Sequence, residues 1–188
     1  LRPQARLAVV GCWATEDVAH AAALPGVTGV IPNTDKARAV EIIIGVDAAP
    51  VAWLPGRWGH TRAFLAVQDG CDHACTYCIT RVLRGPAHSR SLDDAVQAAR
   101  DLVVHGAQEI VLTGVSLGAY GHDLGMAHGL AALVDAILQR TDVPRLRLSS
   151  VEPWDVNDPL LRLWESPRLC RQLHVPMQSG SDTVLKRM

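Results

Sequence analysis

Three of the five cysteines in this 188-residue chain fall within eight residues, in the run Cys71-Asp72-His73-Ala74-Cys75-Thr76-Tyr77-Cys78. A C-x3-C-x2-C loop can offer three soft thiolates to a 4Fe-4S cluster. With no fourth cysteine beside them, one iron stays open to bind and activate another molecule. That is the chemistry of catalysis rather than of electron storage. The alternative is zinc, which needs four tetrahedral ligands. His73 is the nearest candidate for the fourth, yet its place between two of the cysteines makes simultaneous ligation awkward. A third reading, three buried core thiols, fits poorly with so polar and closely spaced a loop.

The elements that must position this loop follow from periodicity and punctuation. From Ala63 onward, strand-like runs recur at Ala63 to Val67, Glu109 to Leu112, Arg145 to Leu148 and Gln172 to Val175. Helical segments separate them. Ser91 with Asp93 and Asp94 reads as a capped, acidic helix start, and Leu92, Val96, Ala99, Leu102 and Val103 form its apolar face before Gly106 ends it. Ala127 to Arg140 repeats the design, and Asp158 to Glu165 is a shorter candidate. Strands alternating with helices predict a parallel sheet, barrel-like or doubly wound, and four strands leave a barrel incomplete. Such folds gather their sites past the C-terminal ends of the strands. There stand Gln68-Asp69-Gly70 with the cysteine loop, Thr113-Gly114-Val115, Ser149-Ser150-Val151-Glu152, and Pro176-Met177-Gln178-Ser179-Gly180.

Upstream, Arg6 to Val10 reads as a strand ending at Gly11-Cys12, Thr15 as the cap of a helix from Glu16 to Leu24, and Pro25-Gly26 as its stop. Val27 to Ile31, a turn over Pro32 to Asp35 and a helix from about Lys36 to Ile44 complete a second β-α pair. Residues 1–45 therefore read as the end of an open α/β domain. Residues 46–62, rich in Pro, Gly and Trp, read as a linker.

Composition narrows the class. Hydrophobic residues make up 48% and charged ones 20%, which suits a folded core rather than a disordered chain. The net charge of −1 gives no bulk attraction for nucleic acid or an anionic membrane, so any RNA contact is local. An odd cysteine count, with Cys12 and Cys170 far from the loop, excludes a disulfide framework. No apolar run is long enough to span a bilayer, and the first residues lack the apolar core of a secretion signal. A reducing, cytoplasmic setting follows, with no membrane partner. The chain opens on Leu1 and stops at Met188 inside a predicted helix, which reads as a fragment.

The cysteine spacing with Tyr77 just before the last cysteine resembles the radical S-adenosylmethionine superfamily. Gln68 to Ile79, the stretch from Arg84-Gly85 to Ser89-Arg90, Leu112 to Val115, and His174 to Ser181 together resemble its methylthiotransferases. Val10-Gly11-Cys12 and the Asn33 to Lys36 turn extend the resemblance to nearly the whole chain. Leu112 to Gly121 and Leu148 to Pro153 look most like the group acting on threonylcarbamoyladenosine in tRNA. The other known substrates are isopentenyladenosine in tRNA and a ribosomal-protein aspartate. A rival of another class is a non-catalytic zinc and cysteine module that contacts RNA.

The resemblance implies an α/β fold: the C-terminal part of an open α/β methylthiotransferase N-terminal domain over residues 1–45, then a truncated radical barrel of the (β/α)6 TIM-like kind over residues 63–188. It implies that Cys71, Cys75 and Cys78 ligate a 4Fe-4S cluster whose open iron binds S-adenosylmethionine, with a 5′-deoxyadenosyl radical as the product of reductive cleavage. Cys12 would be one of three ligands of an auxiliary 4Fe-4S cluster that delivers sulfur; the other two would lie upstream of Leu1. Taken by itself, Cys12 reads as a small apolar residue. Tyr77 would pack near the adenine or serve as a core plug. Thr113 and Gly114 would meet the methionine end of the cofactor or simply end a strand. Gln178, with Ser179, would face the ribose or cap the next helix. Arg84 and Arg90 would hold the cofactor carboxylate or an RNA phosphate, or form structural pairs. His88 stands where the family commonly has arginine. Cys170 reads as structural, and His105, His122 and His128 as surface residues. The implied partners are the tRNA anticodon loop, S-adenosylmethionine, an electron donor and a sulfur donor. The chain alone would be inactive.

Overall fold

The first apolar run forms β1 (Leu7–Gly11), and at Gly11, whose φ of +108° suits glycine alone, the chain turns directly into α1 (Cys12–Glu16). The expected single helix is broken at Asp17. Its carboxylate accepts the His20 amide at 2.8 Å and so caps α2 (Val18–Ala23). Thr15 is therefore not the cap. Its hydroxyl donates to the Gly11 carbonyl at 3.0 Å and accepts the Asn33 amide at 2.7 Å, which ties the turn after β1 to the turn after the next strand. That strand, β2 (Val27–Pro32), lies parallel to β1. A 3₁₀ turn (Asn33–Arg38) then leads into α3 (Ala39–Ile44), where the sequence suggested one helix from Lys36.

The computed structural model describes residues 5–45 and 61–188, so most of the expected linker over 46–62 lies outside the described residues. The chain divides into two compact units. The first holds residues 5–45 together with 79–85, because α4 (Thr80–Arg84) packs against α1 and the 3₁₀ turn rather than staying with its sequence neighbours. The second holds residues 61–78 and 86–188.

In the second unit β3 (Arg62–Ala66) is followed by a two-residue strand, β4 (Gln68–Asp69), that pairs antiparallel with β5 (His88–Ser89), a pairing the sequence pattern did not suggest. The Ser91 hydroxyl accepts the Asp94 amide at the start of α5 (Leu92–Val104), as the cap pattern requires. Then come β6 (Glu109–Thr113), α6 (Gly129–Arg140), β7 (Leu146–Leu148), α7 (Asp158–Arg162) and the short α8 (Asp182–Leu185).

The sheet is parallel in the order β3-β6-β7, with Ala66 opposite Thr113 and Leu112 opposite Leu148. Alternation sends Ala63, Leu65 and Val67 into one core with Ala95, Val96 and Ala99 of α5 and Leu133, Val134 and Ile137 of α6. The other residues of β3, Arg62, Phe64 and Ala66, are exposed. At the starting ends of the strands Glu109 is held by Arg62 at 2.8 Å, Arg145 at 3.1 Å and Arg147 at 2.8 Å. The Arg147 hydrogen bond, against the opposing effect of burial, and the bond from Arg145 hold this carboxyl below its usual range.

The expected fourth strand does not form as a strand. Residues 169–174 touch the sheet only at two isolated bridges, Leu146 with Leu169 and Ser150 with His174. Between them the Gln172 amide bonds back to the Cys170 carbonyl at 2.7 Å, which bends the segment away from a continuous ladder.

Candidate functional site

All three parallel strands point their C-terminal ends at the same side, and the loops that leave them carry the expected residues. The cysteine loop leaves β4. Cys71 and Cys75 are half-buried and Cys78 is exposed, and none of the three forms a disulfide. The loop has no regular structure of its own and is held at its edges. Asp72 accepts the Ala87 amide at 3.1 Å, and the Cys78 amide turns back onto the Cys75 carbonyl at 3.1 Å. The Thr76 amide and hydroxyl donate to the carbonyls of Met188 and Arg187, at 2.8 and 2.9 Å.

Tyr77 is 57% exposed, which overturns its reading as a core plug. Loss of hydration around its hydroxyl, followed by the charge of Cys75 and the hydrogen bond to it, holds the phenol above its usual range. His73 packs its ring edge-on against Trp154, with centroids 5.6 Å apart, so it is engaged away from a ligand role. Among the described residues no three His, Cys, Asp or Glu side chains converge as the ligands of one ion do. The donor chemistry still fits an iron-sulfur cluster: three soft thiols on one irregular loop.

The loop after β6 is built differently. Ser116, Leu117, Gly118, Ala119 and Tyr120 are all buried. Thr113, half-buried, accepts the Val67 amide on its carbonyl at 2.9 Å, and Gly114 sits so close to Gln68 that a Cβ there would lie 2.9 Å from Gln68 Oε1. Tyr120 donates to the Arg90 carbonyl at 2.8 Å, and burial, then the nearby Asp123, push its phenol up to about 12. Ser89 accepts the Gly121 amide at 2.9 Å and donates its own amide to Asp123 at 2.8 Å.

The remaining predicted residues are scattered. Gln178 is exposed and has a φ of +62°, the one non-glycine residue in the left-handed region among the described residues. Such a conformation is costly for a side-chain-bearing residue and marks a constrained turn. Arg90 is exposed in the second unit, while Arg84 lies in α4 of the first. Cys12 begins α1 of the first unit, half-buried. Cys170 is buried, and His88, His105, His122 and His128 are exposed.

Three arrangements of side chains near the site go beyond what the sequence pattern suggested. Gln68 is buried and fully engaged, donating to the Asp69 and Gly70 carbonyls and accepting the Ser116 amide, each at 2.8 Å. Ser150 and His174 meet at 2.7 Å beyond the end of β7. Asp155, raised by burial against the pull of His122 and His73, lies against Gly118, where a Cβ would clash with it at 2.3 Å.

Comparison with known proteins bears on what this arrangement does. The model of the Radical SAM superfamily matches residues 65–188. The threonylcarbamoyladenosine tRNA methylthiotransferase MtaB of Thermotoga maritima is 38% identical over 98% of this chain and 45% of its own length. MtaB of Bacillus subtilis is 34% identical over 99% of this chain and 45% of its own. The tRNA-2-methylthio-N(6)-dimethylallyladenosine synthase of a Parafrankia species is 36% identical over 82% of this chain and 31% of its own. The chain thus spans under half the length of these relatives. Among solved structures, the radical S-adenosylmethionine methyltransferase TsrM of Kitasatospora setae superposes with a TM-score of 0.53 at 20% identity, over 66% of this chain and 23% of that one, a likeness of fold.

Proposed function

Because this chain belongs to the radical SAM superfamily, we propose that it is the cluster-bearing part of a methylthiotransferase acting on N6-threonylcarbamoyladenosine beside the tRNA anticodon. The observation that carries the reading is the three-thiol loop at the C-terminal ends of parallel strands, in a chain similar along nearly its full length to MtaB proteins. When bound, the cluster would supply one electron to cleave S-adenosylmethionine, and an auxiliary cluster would supply sulfur.

The chain's own residues would divide the remaining work. Cys71, Cys75 and Cys78 hold three irons. Tyr77, exposed between two of these thiols in the chain, faces the cofactor rather than the core. Thr113, Gly114 and Gln178 orient the cofactor from two further loops, Gln178 through the fixed turn its backbone makes. Arg84 and Arg90 supply planar donors for a carboxylate or an RNA phosphate. Cys12 contributes to the auxiliary cluster. The partners are the tRNA anticodon loop, an electron donor and a sulfur donor, in the cytoplasm; among the described residues no helix is long and apolar enough to cross a membrane.

The similarity to the dimethylallyladenosine synthases favours a second reading, in which isopentenyladenosine is the substrate. Nucleoside mass spectrometry of tRNA from cells lacking the gene separates them. Loss of the methylthio form of threonylcarbamoyladenosine, with build-up of its unthiolated precursor, is expected. Loss of the isopentenyl counterpart would transfer the assignment, and an unchanged nucleoside profile would overturn both.

A further inference from the structure

Gln68 joins the two loops that differ most in what they are made for. Its carboxamide nitrogen gives both hydrogens away, to the Asp69 and Gly70 carbonyls at 2.8 Å, on the two residues that precede Cys71. Its carbonyl oxygen accepts the Ser116 amide at 2.8 Å, from a residue 48 positions away on the loop after β6. The side chain is 4% exposed, so these bonds have no water to replace them. The opposite wall is equally set. A Cβ on Gly114 would stand 2.9 Å from Gln68 Oε1, 3.1 Å from Gln68 Cβ and 3.1 Å from Leu117 Cα. Gly114 has no positive φ, so glycine is required here by closeness alone.

From this geometry we infer that Gln68 is a positioning residue that fixes the entry of the cysteine loop, at Gly70-Cys71, against the Thr113–Ser116 turn. The inference rests on the cluster and cofactor reading above and adds to it the element that sets the spacing between the two loops. Only glutamine meets the pattern. Glutamate would bring a buried charge against two carbonyls and lose both donors, leucine would fill the space with no bond, and asparagine is one methylene too short.

The test introduces Gln68→Leu and, from the other side of the same contact, Gly114→Ala into the whole enzyme of which this chain is the cluster-bearing part, each followed by three measurements. In the metal-free protein, hydrogen exchange at the Ser116 amide should quicken by about tenfold or more as the amide loses its acceptor. After anaerobic reconstitution, iron and sulfide per chain should match the wild type, since all three thiols remain. Cleavage of S-adenosylmethionine to 5′-deoxyadenosine and methionine under dithionite should fall by about 100-fold, with a smaller loss of affinity, as a misplaced reactant predicts. If Gln68→Leu does not fold, Gly114→Ala carries the same prediction. Unchanged Ser116 exchange would show that the link is not made. Faster exchange with normal cleavage would refute the positioning role and leave the cluster reading intact. A reconstituted wild type that cleaves nothing would remove the cluster reading, and this inference with it.

Discussion

Two loops, one leaving β4 and the other β6, are made in opposite ways. The cysteine loop, 71–78, exposes most of its side chains and is fastened chiefly at Asp72 and Thr76. The loop after β6 buries six residues in succession, 116–121, and is held by Gln68, Ser89 and Arg90. The first presents chemistry, and the second supplies position. Loops of the first sort tolerate change in stability but not in reactivity, and those of the second the reverse.

That contrast can be broken at four points, the largest effect first. Cys75→Ala should abolish cleavage of S-adenosylmethionine and lower bound iron, while the unfolding free energy of the metal-free protein moves by no more than about 0.5 kcal/mol. Normal cleavage in that variant would refute the ligand assignment. Against the other loop, Gly129→Ala at the start of α6 places a Cβ 2.0 Å from the Tyr120 carbonyl oxygen and 2.8 Å from Gly121 Cα. Overpacking against backbone should cost about 3 kcal/mol in urea denaturation, and a cost near zero would show that the loop yields.

Tyr120→Phe should cost about 1 kcal/mol at pH 7 by removing the bond to the Arg90 carbonyl. The sign of its pH dependence follows from the raised phenol. Folded Tyr120 ionises at about 12, whereas the unfolded chain ionises at about 10. The wild type therefore keeps this contribution below about pH 10 and loses it progressively as pH rises towards 12. The difference between wild type and variant should narrow across that window, and a constant difference would contradict the burial of the phenol. The smallest effect belongs to Tyr77→Phe, within about 0.5 kcal/mol because the ring is exposed. Urea denaturation checks it, and a loss well above that would contradict the exposure of the ring.

The same contrast explains what could be read from the sequence. Cysteine spacing is local, so the chemical loop was visible at once. The Ser91 cap and the period of α5 are local too, and both formed as expected. What failed depends on distant partners. Thr15 has the side chain of a cap, but the Asn33 amide takes its hydroxyl and leaves capping to Asp17. Gln172 to Val175 has the composition of a strand, yet the turn of Gln172 onto Cys170 limits pairing to single bridges. Gln68 reads as a polar residue at the end of a strand until Ser116, 48 positions away, is seen to donate to it.

The fastening of Thr76 has a consequence for synthesis. Its hydroxyl bonds to a carbonyl 111 residues later in the chain. A ribosome making about 5–20 residues per second needs roughly 6–20 seconds to cover that interval. Throughout it the three thiols have emerged without the contact that closes their loop. Iron delivered in that time would meet the loop before Arg187 is there to hold Thr76.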